Sequence, residues 1–227
     1  MPAFFNLETP PVIDPTSFSF PLVVDASSPL IQVGIPDHNG WKSMGVSKKQ
    51  ALEGLFASAE DAFRQLALKS SKIDAIFFCE GPGSTLGLRI ACAFVKTIQW
   101  ANHPDLRLYK YNALDMAHLI CGMQASIQAP FRRGFRFVRQ GEQAKGRKQI
   151  LPEEEALAKF PASMHLPDPR KLNPSIPEDR TISYNLETQT QGLQDLLQVS
   201  EPCDIAAPYS PRPAEFKKWK HPSHANS

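Results

Sequence analysis

Apolar and polar positions sort this chain into a dense middle and two irregular ends. Residues 21–25, Pro-Leu-Val-Val-Asp, form a short apolar run that closes on a carboxylate, and 30–35 form a second. Between 30–35 and a third run at 41–46 lies Asn39-Gly40, a pair that favours positive φ, so an antiparallel three-stranded meander is expected. The period then changes. Leu52, Leu55, Phe56, Ala59, Phe63 and Leu66 recur at helical spacing, with Lys49, Glu53, Glu60, Asp61 and Arg64 on other faces. Ser47 and Gln50 fit a capping box, and the first helix is expected over 47–68. An apolar run at 73–79, interrupted only by Asp74, predicts a buried strand. A glycine turn follows, and then a helix over 85–102 whose only charges are Arg89 and Lys96. That helix is apolar nearly all round, so it must be covered on more than one side, by this chain or by a partner.

The second half is ragged. A strand is expected at 106–111, and a helix capped by Asn112, with Asp115 in its first turn, runs to about 123. Residues 131–139 and 145–151 read as a hairpin around Gly141 and Gly146. Pro152 and the three glutamates after it start a short helix, with the acidic residues at its positive end. Residues 161–177 form a proline-rich connection, 181–186 a strand, 191–199 a helix and 207–213 an extended tail. An antiparallel meander followed by strand-helix crossovers predicts an α/β layer with a mixed sheet. The expected divisions are an extension at 1–20, a first lobe at 21–125 and a reduced, proline-rich second lobe with its tail at 126–227.

Composition sharpens this division. There are 21 prolines against 12 glycines in 227 residues, and only Pro82 and Pro104 fall between Asp37 and Ala129. Proline breaks helix interiors and cannot donate to a ladder, which excludes a solenoid, a coiled coil or a continuous helical bundle. A net charge of +2 makes no demand for nucleic acid. Cys79, Cys92, Cys121 and Cys203 share no Cys-x-x-Cys spacing and read as reduced structural thiols of a cytoplasmic protein. No apolar run approaches the roughly 20 residues that span a bilayer, and no signal peptide or membrane association is expected. The six histidines form no His-x-x-x-His pair, so no metal site is expected, and no Gly-x-Ser-x-Gly elbow is present.

Three features remain as candidate chemistry. Glu80-Gly-Pro-Gly-Ser-Thr-Leu-Gly-Leu-Arg89 joins a strand to a helix N-terminus. Such a turn either cradles an anion on its amides or is simply a tight connection in which Gly81 and Gly83 allow close packing and Ser84 or Thr85 caps the helix. Asp25, at the end of the first strand, either faces a metal-bound phosphate or a catalytic water, or caps a turn through Ser27 and Ser28. Arg132, Arg133 and Arg136, with Arg139, Lys145, Arg147 and Lys148, stand among Phe131, Phe135 and Phe137. Strand alternation puts the phenylalanines on one face and Arg132 and Arg136 on the other, which is either a solvated face over a core or a surface for RNA or an acidic partner.

In order along the chain, Leu22-Val-Val-Asp-Ala-Ser27, Ile73-Asp-Ala-Ile76 and Gly81-Pro-Gly-Ser-Thr-Leu-Gly-Leu-Arg-Ile90 resemble the bacterial TsaB (YeaZ) family. Its signatures are an Ile-Asp-Thr-Ser strand end and a Gly-Pro-Gly-Ser-Phe-Thr-Gly-Leu-Arg loop. Tyr111-Asn-Ala-Leu-Asp115 resembles the Val-Ser-Ser-Leu start of the family's third helix, while 130–136 and 208–212 match later segments loosely. The resemblance covers about residues 21–140 and the tail, and the glycine loop is its specific part. It implies an actin-like ATPase (ribonuclease H-like) fold with a reduced second lobe. It further implies work beside a TsaD-type catalytic subunit and a TsaE-type ATPase, making threonylcarbamoyladenosine next to the anticodon of tRNA, which is met indirectly.

By the same resemblance the two N-terminal helices dock the partner, with Leu52, Leu55, Phe56, Phe63, Leu88, Cys92, Val95 and Gln99 as contact candidates, and also support a homodimer. Asp25, Ser27, Gly81, Gly83, Ser84 and Arg89 become a vestigial phosphate loop, and Arg132, Arg133 and Arg136 candidate RNA contacts. The chain departs from the family at Ala26 for Thr, Thr85-Leu86 for Phe-Thr and Pro130 for Asp. With so proline-rich a second half, no catalysis and no cofactor of its own are expected, ATP or ADP with magnesium entering at most at a partner interface. The alternative is a nucleotide-binding ATPase or kinase-like enzyme of the same superfold, working through Asp25 and the glycine loop.

Overall fold

The computed structural model describes residues 14–102, 106–122, 126–168, 176 and 178–210. The meander forms as expected from β1 (Pro21–Asp25), β2 (Ile31–Asp37) and β3 (Gly40–Ser47). Helix α1 (Ala51–Gln65) carries the chain to β4 (Ala75–Gly81), which pairs in parallel with β1. Helix α2 (Thr85–Asn102) then leads to β5 (Arg107–Asn112), parallel to β4 on its other side. Side chains alternate across these central strands. Leu22, Val24, Ile76 and Phe78 face α1 and α2, sharing a core with Leu55, Ala59, Ala91 and Val95. Val23, Phe77 and Cys79 face the opposite way. Burial on both faces is why these strands read as unbroken apolar runs rather than as alternation. Each fully buried Phe of β4 contributes on the order of 1.5–3 kcal/mol.

The opposite face is covered by the second half of the chain. α3 (Ala113–Ile120) packs there, with the Asn112 side chain accepting from the Leu114 amide as the expected cap. β6 (Ile127–Arg132), β7 (Phe135–Gln140) and β8 (Arg147–Pro152) make an antiparallel sheet. After α4 (Glu153–Lys159), the short β9 (Met164–His165) pairs in parallel with β6. α5 (Leu186–Gln189) and α6 (Leu193–Val199) follow. β10 (Ser200–Cys203) then returns to the first sheet, antiparallel to β5, giving the order β10-β5-β4-β1-β2-β3.

Four local expectations are corrected. Ser47 belongs to β3 and accepts from the Lys49 amide, and Gln50 makes no side-chain cap, so the capping box is absent. Residues 131–139 are two strands, because the chain turns at Gly134 with φ of 75°, and Phe131 and Arg132 belong to β6. The strand at 181–186 reduces to a single bridge between Thr181 and His165. The Asn185 side chain captures the Glu187 amide and starts α5 instead. α3 ends at Ile120, before the expected 123. Much of the 1–20 extension, part of the 161–177 connection, and the tail from Pro211, with Arg212, lie outside the described residues.

Candidate functional site

The glycine loop and Asp25 meet at the C-terminal ends of the parallel strands, where α/β sheets ordinarily bind ligands. Their geometry is closed. The Ser84 amide donates to the Ser27 carbonyl at 2.8 Å, stitching the loop to the end of β1. The Ser84 hydroxyl accepts from the Gly87 amide at 3.2 Å and caps α2. A Cβ at Gly83 would sit on the Ser27 carbonyl oxygen, and one at Gly87 on that of Ala26, so both positions exist for close approach of backbone to backbone. Gly81 has φ of 118°, a conformation that L side chains rarely adopt. The tight-connection reading of the loop is the one realised, and two of the amides an anion cradle would use are committed.

Asp25 is fully buried. Its Oδ1 accepts from the Ser27 amide at 2.8 Å and the Ser27 hydroxyl at 2.6 Å. Its Oδ2 accepts from the Tyr111 hydroxyl at 2.6 Å and the Tyr184 hydroxyl at 3.0 Å. Burial, and then the neighbouring Asp25 carboxylate, push both tyrosines well above their ordinary pKa, so they stay protonated as donors. The same two influences raise the Cys79 thiol beneath them, which stays protonated and inert. All four acceptor positions of the carboxylate are therefore filled by this chain's own donors. Ser27 is also buried, whereas Arg89 points outward from α2, away from this ring. Tyr111 and Tyr184 were not singled out in the sequence, since nothing local marks two tyrosines that meet a carboxylate 86 and 159 residues away.

The helix pair divides cleanly. Leu55, Leu88, Cys92 and Val95 turn into the core, at 5 % exposure or less, and are not contact residues. The sheet covers this side of α2, so this chain itself buries one apolar face of the helix. Phe63 is half-buried against the same core, and the half-buried Gln99 donates to the Leu106 carbonyl at 3.4 Å. Leu52 and Phe56 are 58 % exposed on α1; on α2 Leu86 is 63 % and Trp100 87 % exposed. Phe56 and Phe94 meet edge to face at 5.8 Å and join the two helices into one apolar surface. Leu86 and Trp100, missed in the sequence reading, lie on one stripe with Ile90, Ala93 and Thr97, a spacing that marks a single helix face.

The arginine segment also splits. Arg132 and Arg133 are exposed at the β6–β7 turn, the Arg132 guanidinium lying 4.3 Å from the Phe135 ring centre. Arg136 is wholly buried and is no RNA contact. It donates to Glu153 of α4 at 3.1 Å and to Nδ1 of His165 at 2.8 Å. Alternation correctly separates it from Phe137, but α4 covers the face that was read as solvated or RNA-facing. Arg139, on the Phe137 face, is equally buried and bonds Asp115 of α3 at 3.0 Å. Lys148 pairs with the other oxygen of the same carboxylate at 2.5 Å.

Among the described residues, no helix is long and apolar enough to cross a membrane. No curated protein matches this sequence. A family model described as TsaD, tRNA N6-adenosine threonylcarbamoyltransferase, matches residues 45–131, which hold both helices and the glycine loop. The structure of YeaZ from Pseudomonas aeruginosa is 18 % identical, with a TM-score of 0.60 over 85 % of this chain and 99 % of that one. A second structure, of an uncharacterized protein with similarity to peptidase YeaZ from Pseudomonas aeruginosa, is also 18 % identical. Its TM-score is 0.59, over 86 % of this chain and 100 % of that chain. The resemblance carried by the glycine loop thus extends to the whole architecture, and this chain has the fold of YeaZ, the actin-like, ribonuclease H-like α/β fold.

Proposed function

We propose that this protein is a non-catalytic partner subunit that docks a TsaD-type protein in threonylcarbamoylation of tRNA. The observation that carries the reading is the exposed apolar surface of α1 and α2, built from Leu52, Phe56, Leu86 and Trp100. Contiguous aromatic and aliphatic exposure of this kind marks an interaction site on a soluble domain. The ring of donors around Asp25 supports the absence of catalysis, because a carboxylate with every acceptor position filled has none left for a magnesium ion or a water. In this reading a TsaE-type ATPase supplies nucleotide turnover, ATP or ADP with magnesium enters only at the partner interface, and tRNA is met through the complex. The protein works in the cytoplasm, and the same helix face holds a homodimer when the partner is absent.

Co-purification with the TsaD-type protein of the same organism tests this. The wild-type chain is expected to form a complex that Phe56→Asp and Trp100→Asp abolish, with unchanged circular dichroism. Absence of a complex, or a complex indifferent to both substitutions, refutes the reading. Magnesium-dependent ATP turnover by the isolated chain, lost in Asp25→Asn, establishes the enzyme alternative instead.

A further inference from the structure

Arg89 closes the glycine-loop sequence, yet it is exposed on α2 and takes no part in the ring of donors around Asp25. It has one counterpart. Lys96, seven residues on, is also exposed, and the two are the only charged residues of α2, which carries no aspartate or glutamate. Seven residues make about two turns, so the two cations lie on one line of the helix, roughly 10 Å apart. Arg89 stands three positions after Leu86 and four before Ala93, and Lys96 stands likewise between Ala93 and Trp100. Residues three and four apart are neighbours on a helix surface, so this row of cations borders the exposed apolar stripe along its length. It does so on the flank away from α1, because Phe94, which meets Phe56 of α1, lies about 160° round the helix from Lys96. Among the described residues neither cation makes an ion pair. The charges of α1 behave differently: Lys49 closes on Glu53 at 2.8 Å and Arg64 on Asp61, which leaves Glu60 as the exposed acid without an ion pair.

We propose that Arg89 and Lys96 select what docks on the helix face: a partner whose own docking helix carries two carboxylates about one heptad apart beside its apolar seam. This deepens the docking reading and rests on it. Charges that flank an apolar helix seam set partner choice and orientation, and they act on the rate of encounter more than on the final affinity. A second copy of this chain fits the row poorly. If α2 faces α2 of the copy, cations face cations. If α2 faces α1 of the copy, two of the three carboxylates it meets are already paired within their own helix. The row therefore works against self-pairing as well as for an acidic partner.

The test follows association of the full chain with the TsaD-type protein of the same organism by surface plasmon resonance, at about 50 and about 500 mM sodium chloride. The wild-type association rate is expected to fall by about tenfold between the two salt concentrations. Arg89→Glu combined with Lys96→Glu lowers the rate at low salt by about tenfold, and the reversed chain then associates faster as salt is added. Arg89→Gln combined with Lys96→Gln removes most of the salt dependence. Arg132→Glu with Arg133→Glu makes the same change in net charge at the exposed β6–β7 turn, and changes the rate by less than about twofold. Both positions on α2 are exposed, so circular dichroism of the variants matches the wild type. A complex that Trp100→Asp abolishes but that is indifferent to salt and to the α2 reversal overturns this inference and leaves the docking reading standing. An equal slowing by the β6–β7 pair overturns it too, since net charge alone then governs encounter. It is likewise overturned if the α2 reversal weakens self-association of the isolated chain as much as it slows the complex, because a second copy then supplies the carboxylates. Absence of any complex overturns both readings.

Discussion

Changing Tyr184 to Phe deletes one oxygen from the ring around Asp25 and leaves the shape of the site intact. The lost hydrogen bond is to a charged acceptor in a fully buried place, so Tyr184→Phe is expected to cost about 1.5–3 kcal/mol. Tyr111→Phe, whose bond is shorter at 2.6 Å, costs at least as much. Asp25→Ala acts from the other side. It strands the hydroxyls of Tyr111, Tyr184 and Ser27 in a dry pocket, each stranded donor costing about 1–3 kcal/mol. The sum, about 3–9 kcal/mol, is a large part of the 5–15 kcal/mol that holds an ordinary domain folded. The decisive quantity is the coupling. In the Asp25→Ala background the Tyr184 hydroxyl has lost its carboxylate acceptor, so Tyr184→Phe there costs far less, a coupling of about 2 kcal/mol. Urea unfolding followed by tryptophan fluorescence measures all four corners of this cycle. If Tyr184→Phe costs the same in both backgrounds to within about 0.5 kcal/mol, the two groups act independently and the closed ring is not what occupies Asp25.

Three further expectations follow from the packing. Val95→Asp puts a charge at a position with no exposure and abolishes folding, whereas Trp100→Asp, at 87 % exposure, changes stability by less than about 0.5 kcal/mol; thermal melts of the two separate core from surface on α2. Gly83→Ala and Gly87→Ala drive a methyl group into backbone oxygens at the end of β1 and each cost about 1–3 kcal/mol, measured by the same urea titration. His165 is held down to about 4, first by burial and then by the Arg136 and Arg180 cations. Its proton is therefore bound by the unfolded chain and refused by the native one between about pH 6.5 and 4, so this group removes stability as pH falls through that window, by on the order of 3 kcal/mol in total. Compared across the window, the wild type loses more stability on acidification than His165→Gln, and parallel curves for the two contradict the shift.

How much of this was legible in the sequence depends on where each residue's partners lie along the chain. The first half was readable because its determinants are local. Unbroken apolar runs marked β1 and β4, helical spacing marked α1 and α2, and the glycine loop marked the turn between β4 and α2. Even so, periodicity gives a helix two apolar faces without saying which one the sheet covers. On α2 the inward set at Leu88, Cys92 and Val95 and the outward set at Leu86, Ala93 and Trp100 lie on nearly opposite faces, and both faces carry apolar residues. What settles the choice is the close approach at Gly87, whose missing Cβ lets Ala26 touch the helix and so turns that face inward. The second half was not readable for the opposite reason. Arg136 and Arg139 carry the strongest surface signal a sequence offers, yet their counter-groups Glu153 and Asp115 are 17 and 24 residues away on helices that cover both sides of β7. Burying an arginine is tolerable only where a carboxylate is buried with it. A basic strand flanked by acidic helices thus carries two opposite readings, a polyanion surface or an internal ion-pair layer. Only the placement of α3 and α4 against β7 decides for the second at Arg136 and Arg139, and leaves Arg132 and Arg133 as the exposed remainder.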